Sequence, residues 1–171
     1  MTKFLKCVTW SDPVESKQAV EKLLPLWGQE IGVDDALELL GPGFVDKRVR
    51  TFAVKRLERA DDDVSSPNIG ATDLQELLLY LLQLVQALRF ETPPETRKRR
   101  KVVEEGDSGL SQFLIDRSVA DPILGTSFHW YLMVECESRA PVGKAYAKIA
   151  FRFMQKLAEV SPEGVRGGTS G

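Results

Sequence analysis

The sequence has few of the residues that build most active sites and metal centres. Its 171 residues include one histidine and two cysteines, Cys7 and Cys136. A tetrahedral zinc site of cysteine and histidine needs four ligands, and only three such side chains exist, widely spaced. Any Ser-His-Asp or Cys-His arrangement would have to use His129. The composition therefore excludes a cysteine–histidine zinc site and most nucleophilic catalysis.

The sequence also lacks long hydrophobic runs and an excess of charge of one sign. No apolar run approaches the roughly 20 residues that cross a bilayer, and the first six residues are too polar for a signal peptide. The chain has 23 Lys+Arg against 25 Asp+Glu, a formal net charge of −2, which argues against a globally basic nucleic-acid binder. We therefore expect a soluble, cytoplasmic domain with reduced cysteines and no nucleic-acid partner.

Motifs that bind nucleotides are missing as well. Neither G-x-x-x-x-G-K-[ST] nor G-x-G-x-x-G occurs, and Gly41-Pro42-Gly43 is better explained as a turn between helices, because Pro42 removes a backbone donor. The kinase triplets D-F-G and H-R-D are also absent. We predict that this chain contains no catalytic, cofactor-binding or metal-binding residues.

Two side chains could contradict that prediction. His129 could act as a general base beside Glu135 or Glu137, but its neighbour at the i, i+4 spacing is Met133, which favours a structural histidine. Cys136 lies between two glutamates, and their charge would raise the pKa of its thiol rather than activate it.

The hydrophobic periodicity predicts helices along the chain and no strands. The first helix is capped by Asp12 and should end or kink at Pro25 and Gly28. The longest helix is capped by Thr72 and ends before Pro93-Pro94. The other predicted helices cover about Val33–Leu40, Asp46 to Ala60, Leu110–Val119, Pro122–Glu137 with Asp121 as its cap, and Pro141–Val160.

Two features of these helices indicate how they pack. From Leu77 to Leu88 only Gln83 and Gln86 are polar, so this helix should be central in the core. The segment Ala36–Leu57 resembles a HEAT-type helix pair. Its inward residues would be Leu37 and Leu40 on the first helix and Val49, Ala53 and Leu57 on the second, with Arg50 turned toward neighbouring helices. Any well-capped amphipathic helix could give a similar pattern.

Residues 92–108 are predicted to form a disordered linker inside a helical domain of residues 1–162, and residues 163–171 a loose glycine-rich tail. The basic run at 97–101 could serve nuclear import, nucleic-acid binding or attraction to an acidic membrane. Four acidic residues in the same linker favour an ordinary polyampholyte segment instead.

Several segments between about residues 3 and 157 form a recognisable series, and the most distinctive of them is Tyr80–Glu91. The others are Lys3–Val8 with Trp10, Asp35–Leu40, Val49-Arg50, Ala53-Val54, Arg56-Leu57, Ala60–Asp62, Phe113–Ile115 with Arg117, Trp130-Tyr131 and Val134–Glu137. Taken in order, these segments resemble the helical (accessory, or PIK) domain of class III phosphatidylinositol 3-kinases, the vacuolar-sorting lipid kinases.

The resemblance implies an all-α fold, an α-α superhelix of HEAT- or armadillo-like helix pairs, between a lipid-binding β-sandwich and a kinase domain. The parent enzyme would make phosphatidylinositol 3-phosphate with ATP and Mg or Mn, in autophagy and endosomal sorting. Its partners would be a regulatory protein kinase and a Beclin-like subunit. It would act as a peripheral protein on endosomal, vacuolar and autophagosomal membranes.

No catalytic residue of that family is carried over to this chain, which is interpreted as a fragment without the kinase domain and without a cofactor of its own. Three alternatives remain open at this point. They are a free-standing HEAT-like interaction module, the equivalent domain of a phosphatidylinositol 4-kinase, and a small enzyme that uses His129.

Overall fold

The computed structural model describes residues 2–10, 12–27, 32–44, 46–62, 70–91 and 108–160. Every regular element in these ranges is helical, which confirms the predicted all-α fold. The elements are α1 (Thr2–Leu5), α2 (Pro13–Gln18), a π-helical turn (Ala19–Leu23), α3 (Leu24–Trp27), α4 (Val33–Leu39), α5 (Lys47–Asp62), α6 (Gly70–Ala87), a 3₁₀ turn (Leu88–Phe90), α7 (Leu110–Ala120), α8 (Pro122–Cys136) and α9 (Val142–Val160). The basic run at 97–101, the tail at 163–171 and the predicted linker up to residue 107 lie outside the described residues.

Aspartate caps explain why three of these helices begin where the sequence predicts. Asp12, Asp46 and Asp121 each accept a hydrogen bond from a backbone N–H two or three residues later, at 2.7–2.9 Å. Such a bond satisfies one of the orphan donors at a helix N-terminus. The predicted cap at Thr72 was wrong, because α6 begins two residues earlier, at Gly70.

Pro25 distorts its helix without ending it. The helical backbone continues to Trp27, and the distortion takes the form of the π-helical turn just before the proline. Within it the N–H of Leu24 donates to the carbonyl of Ala19, five residues back. Proline has no N–H and its ring crowds the preceding turn. A wider turn is one way for a helix to absorb that defect.

The chain divides into two compact units, residues 1–113 and 114–171. In the first unit α4 and α5 form the predicted HEAT-like pair. Both helices bury their apolar faces, through Ala36, Leu39 and Leu40 on α4 and Val49, Ala53, Val54 and Leu57 on α5. Leu37 is half-buried, so its predicted inward position is only partly correct. Leu39 takes the inward place instead, since it lies on the same helix face as Ala36.

Helix α6 has one buried face and one exposed face, although its sequence is apolar nearly all round. Leu81, Leu84 and Val85 of α6, with Leu88 in the 3₁₀ turn that follows, are at most 3% exposed, as expected for the centre of the core. On the other face Leu78, Leu79 and Leu82 are 37%, 76% and 43% exposed. The predicted central position therefore holds for one face of this helix. Composition cannot say on how many sides a leucine-rich helix finds neighbours.

The second unit is held by close contacts between its helices. The rings of Phe128 on α8 and Phe153 on α9 meet edge to face, with centroids 5.2 Å apart. At Gly125 an added Cβ would lie 2.5 Å from the carbonyl oxygen of Ser118, so α7 and α8 approach at a distance that only glycine allows. Lys156 on α9 forms an ion pair with Asp116 on α7. In the described ranges no helix has both the length and the apolar character to cross a membrane.

The two faces of α6 give a test of the core. We predict that Leu84→Ala lowers the free energy of unfolding by about 2–5 kcal/mol, because it removes a fully buried side chain and leaves a cavity. Leu79→Ala, on the exposed face of the same helix, should change it by less than about 0.5 kcal/mol. Urea unfolding followed by circular dichroism measures both. An equal loss in the free energy of unfolding for the two variants would contradict the assignment of Leu84 to the buried face and Leu79 to the exposed face of α6.

Candidate functional site at Arg50

Arg50 is a charged side chain at the centre of the first unit, only 2% exposed. Arginine is almost never fully buried unless its charge is paired. The Asp46 cap positions it, because Asp46 begins α5 and places Arg50 in the first turn, where its N–H donates to the Asp46 carbonyl at 3.2 Å. The capped, HEAT-like helix that the sequence predicts therefore places the positively charged side chain of Arg50 in the interior.

The guanidinium of Arg50 joins the ends of two other helices. Its Nη1 donates to the carbonyl oxygen of Leu40 at 2.6 Å, and its Nη2 to that of Ala87 at 3.0 Å. Leu40 is the C-cap of α4 and Ala87 is the last residue of α6. Helix C-termini carry unpaired carbonyls and partial negative charge, which a cation satisfies. Arg50 therefore connects α4, α5 and α6.

An acidic and a hydroxyl side chain complete this cluster. Glu91 Oε1 lies 3.6 Å from Arg50 Nη2 and accepts a hydrogen bond from the hydroxyl of Ser108. The backbone N–H of Leu110, at the start of α7, lies 3.4 Å from the same hydroxyl. We call Arg50, Glu91, Ser108 and the carbonyls of Leu40 and Ala87 the Arg50 node. Ser108, predicted as the last residue of a disordered linker, is buried in it.

The electrostatics of the Arg50 node suit a structural tie better than an anion-binding site. Burial lowers the pKa of Arg50, and the charge and hydrogen bonding of Glu91 act against that shift. A guanidinium stays protonated in proteins, so the charge persists. Its Nη donors are directed to protein carbonyls, while its buried Nε has no hydrogen-bond partner among the described residues. The arrangement can hold helix ends together; its terminal donors are not presented to a phosphate.

A shallow groove of about 310 Å³ lies beside the Arg50 node. The end of α4, the Gly41-Pro42-Gly43 turn and the end of α6 line it, with Gln83, Gln86 and Arg89 as polar lining residues. The glycine–proline segment is a turn between α4 and α5, as predicted. Among the described lining residues, Pro42 has no N–H and the N–H of Gly41 donates to the carbonyl of Glu38, unlike the free row of N–H groups in a phosphate-binding loop.

The two side chains that the sequence offered for chemistry lie in α8. His129 is half-buried, its ring meets that of Trp130 edgewise at 6.0 Å, and its buried Nδ1 has no hydrogen-bond partner in the described part of the chain. Burial raises the pKa of the Cys136 thiol, so the predicted direction is right but the cause is desolvation, not the neighbouring glutamates. No group of three or more His, Cys, Asp or Glu side chains could hold a metal ion within the ranges described.

The sequence predicts only part of the Arg50 node. It predicts that Arg50 points toward neighbouring helices, but it does not identify Glu91 or Ser108 as residues that lie beside it. Glu91 is the last residue of Tyr80–Glu91, the segment with the clearest resemblance to the family. That position is the feature of the sequence that could have identified Glu91. Ser108 carried no signal of its own, because it sits next to a polar, charged stretch. The expectation that the chain has no catalytic or cofactor-binding residue stays a prediction.

Removing the buried cation tests the Arg50 node. We predict that Arg50→Met lowers the free energy of unfolding by about 3–5 kcal/mol, because Glu91 and two helix-end carbonyls lose their partner. The matched variant Arg48→Met breaks the neighbouring pair with Asp46 at 2.9 Å, where Arg48 is 47% exposed, and should cost only about 0–1 kcal/mol. Adding Glu91→Gln to Arg50→Met should recover part of the loss in urea unfolding. Similar costs for the two arginines would contradict the role given to Arg50.

The cap of α5 makes stability depend on pH. Burial acts to raise the pKa of Asp46, but hydrogen bonds from Arg48 and from the backbone N–H of Val49 outweigh it and hold the pKa below its ordinary value of 3.8. A carboxyl with a depressed pKa stabilises the fold above its unfolded-state pKa, and that stability is lost as the pH falls through the folded-state pKa. We predict that the stability difference between the native chain and Asp46→Asn, measured by urea unfolding, is constant near neutral pH and shrinks below about pH 4. A difference that grows on acidification would contradict this.

The comparison with known proteins agrees with this helical arrangement. Residues 1–164 match the accessory domain (PIK domain) of the phosphoinositide 3-kinase family. That match covers the first unit with the whole Arg50 node and all but the last seven residues of the second unit.

Similar proteins include phosphatidylinositol 3-kinases from fungi and plants. Phosphatidylinositol 3-kinase pik3 of Schizosaccharomyces pombe is 44% identical over 164 residues, 96% of this chain and 18% of the relative. Phosphatidylinositol 3-kinase VPS34 of Arabidopsis thaliana is 41% identical over 167 residues, 98% of this chain and 17% of the relative. VPS34 of Saccharomyces cerevisiae is 30% identical over 210 residues, 97% of this chain and 22% of the relative.

The chain therefore spans about a fifth of the length of these relatives. The relatives are phosphatidylinositol 3-kinases, which favours that assignment over the phosphatidylinositol 4-kinase alternative. The described residues have an all-helical fold, and residues 1–164 match the accessory domain (PIK domain) of the phosphoinositide 3-kinase family. Together these findings show that this chain is an accessory domain of that family and belongs to its class III branch.

Proposed function

We propose that the chain serves as a non-catalytic helical scaffold in a lipid kinase that makes phosphatidylinositol 3-phosphate from phosphatidylinositol and ATP. The match of residues 1–164 to the accessory domain carries this proposal. The chain covers about a fifth of relatives named phosphatidylinositol 3-kinases, so the named activity is a property of much longer chains. ATP and its Mg or Mn would bind in a kinase domain, outside these residues.

The Arg50 node supports a scaffold role because it fixes helix ends. The C-termini of α4 and α6 and the start of α5 meet at one guanidinium, which limits how these helices can shift against each other. The tight approach of α7 and α8 at Gly125 has the same effect in the second unit. Stiff helical bodies can hold neighbouring domains in a defined arrangement. The neighbours proposed are the kinase domain and a lipid-binding β-sandwich.

The wider setting of the proposal is that of the class III enzymes. The parent kinase would assemble with a regulatory protein kinase and a Beclin-like subunit, and would act in autophagy and endosomal or vacuolar sorting. Its contact with membranes would be peripheral, from the cytoplasmic side, and made through the assembled complex. The second candidate, a free-standing interaction module, draws its support from the exposed leucines of α6. Coding sequence for a kinase domain in the same reading frame would decide against that candidate.

A domain replacement tests the scaffold function. In S. pombe pik3, this chain would replace the region it matches, and the purified chimera would be assayed for phosphorylation of phosphatidylinositol vesicles. We expect activity within about tenfold of the parent enzyme, because the chain is 44% identical over that region. The chimera with Leu84→Ala should lose activity or yield, whereas Lys17→Ala, at an exposed position on α2, should not. A folded, soluble chimera without lipid kinase activity would contradict the proposal.

A further inference from the structure

Helix α8 has an exposed face that carries no charge. Ile123, Trp130 and Val134 are 68%, 64% and 66% exposed. They are spaced by seven and four residues, so they lie in one line along the helix, with exposed Thr126 beside that line. The hydroxyl of Thr126 donates to the carbonyl of Pro122 at 2.8 Å and is therefore satisfied within the helix. We call Ile123, Thr126, Trp130 and Val134 the α8 face.

The composition of the α8 face differs from that of other exposed helix faces. Residues Pro122–Val134 include no Lys, Arg, Asp or Glu. Helix α5, in contrast, exposes Lys55 and Glu58, and α9 exposes Lys144 and Lys148. A helix that is apolar on all sides is usually buried on all sides, since faces in lasting contact with water carry charged residues. The α8 face therefore has the composition of a surface that a neighbour covers.

We infer that an uncharged, apolar surface on another domain of the parent kinase chain covers the α8 face. The inference rests on the proposed scaffold function and identifies one surface through which the scaffold holds a neighbouring domain. Trp130 is the central anchor, because tryptophan is enriched in the cores of protein interfaces and charged residues are depleted there. Half-buried Tyr131 and Met133 lie on either side of Trp130 and extend the uncharged area.

The chemistry of the partner follows from the chemistry of the α8 face. The face carries no charged side chain, and its one hydroxyl already donates within the helix. A charged or polar group placed against it would lose its water without gaining a hydrogen-bond partner, which is unfavourable. The matching surface is therefore apolar.

A membrane fits the α8 face less well than a protein surface does. Helices that lie on membranes approach acidic lipids with basic residues on their polar side. The α8 face has no basic residue, and the charged residues at the two ends of the helix are acidic, Asp121 as its N-cap and Glu137 as its C-cap. An acidic lipid surface would repel both carboxylates.

The small size of the α8 face favours a domain of the same chain over a separate protein. A stable complex of separate chains buries about 800 Å² and about 20–30 residues on each side. One helix face is too small to hold a second copy or a free subunit by itself. Domains joined in one chain need less contact, because the tether keeps them at a high effective concentration. This chain spans only 18% and 17% of two relatives, so those relatives have further chain to supply such a domain.

A photo-crosslink tests the contact directly in the S. pombe pik3 chimera. A benzophenone amino acid is introduced at position 130, and crosslinked peptides are identified by mass spectrometry. We expect crosslinks within one chain, from position 130 to a pik3 region outside the replaced segment. The same amino acid at position 148, which is exposed on the charged side of α9, is the matched control and should give at least about tenfold less of that product.

A charge at the centre of the face separates a domain contact from a role in folding. In the 171-residue chain, Trp130→Lys should shift the urea midpoint by less than about 0.3 M, because the side chain is mostly exposed. In the chimera the same substitution should speed limited proteolysis between domains at least about fivefold. Lys148→Ala should change neither measurement. If Trp130→Lys fails to fold, the crosslink still decides, because benzophenone is a bulky aromatic group like the indole that it replaces.

The inference and the proposed function fail in different ways. A folded chimera without lipid kinase activity contradicts the scaffold function, whereas the crosslinks from position 130 are read whether or not the chimera is active. An absence of crosslinks to the rest of pik3 would overturn the inference. So would crosslinks only between two chains, which would assign the face to a second copy. Binding of the 171-residue chain to vesicles with about one-third phosphatidylserine, lost in Trp130→Lys, would make the face a membrane contact instead.

Discussion

A buried positive charge controls the arrangement of the first unit. Arg50 can be taken out of water only where enough acceptors meet it, and the acceptors present are the carbonyls of Leu40 and Ala87 and the carboxylate of Glu91. Those acceptors belong to the ends of α4 and α6 and to the residues after α6. The helices therefore end close to one point, since each loses a partner for its last carbonyls if it shifts away. A contact made only by apolar side chains would allow the helices to slide past one another, whereas the hydrogen bonds of Arg50 do not.

The Arg50 node also brings together two residues that are far apart in the sequence. Ser108 donates a hydrogen bond to Glu91, 17 positions earlier in the chain. This bond joins the residue after the 3₁₀ turn to a residue just before α7, within the first unit. The alignment with the S. cerevisiae relative runs over 210 residues, more than this chain contains, so that relative has additional residues within the matched region.

Two helices combine a buried apolar face with apolar side chains that are exposed. Helix α6 buries Leu81 and Leu84 completely, yet leaves Leu79 on the outside. Helix α9 buries Phe153 against Phe128, yet leaves Phe151 exposed. In both helices one face provides stability and the other remains available for contact. That division agrees with a chain that spans about a fifth of its relatives' length.

The sequence by itself determined the helical class, the aspartate caps at positions 12, 46 and 121, the buried stripe of α5 and the family, because these depend on local hydrogen bonding and on spacing along the chain. It also directed Arg50 inward. Only the tertiary structure decided which carbonyls receive Arg50, that Ser108 belongs to the core, and that α6 is buried on a single face. Burial is a property of neighbours in space, and no periodicity along one helix states how many neighbours it has.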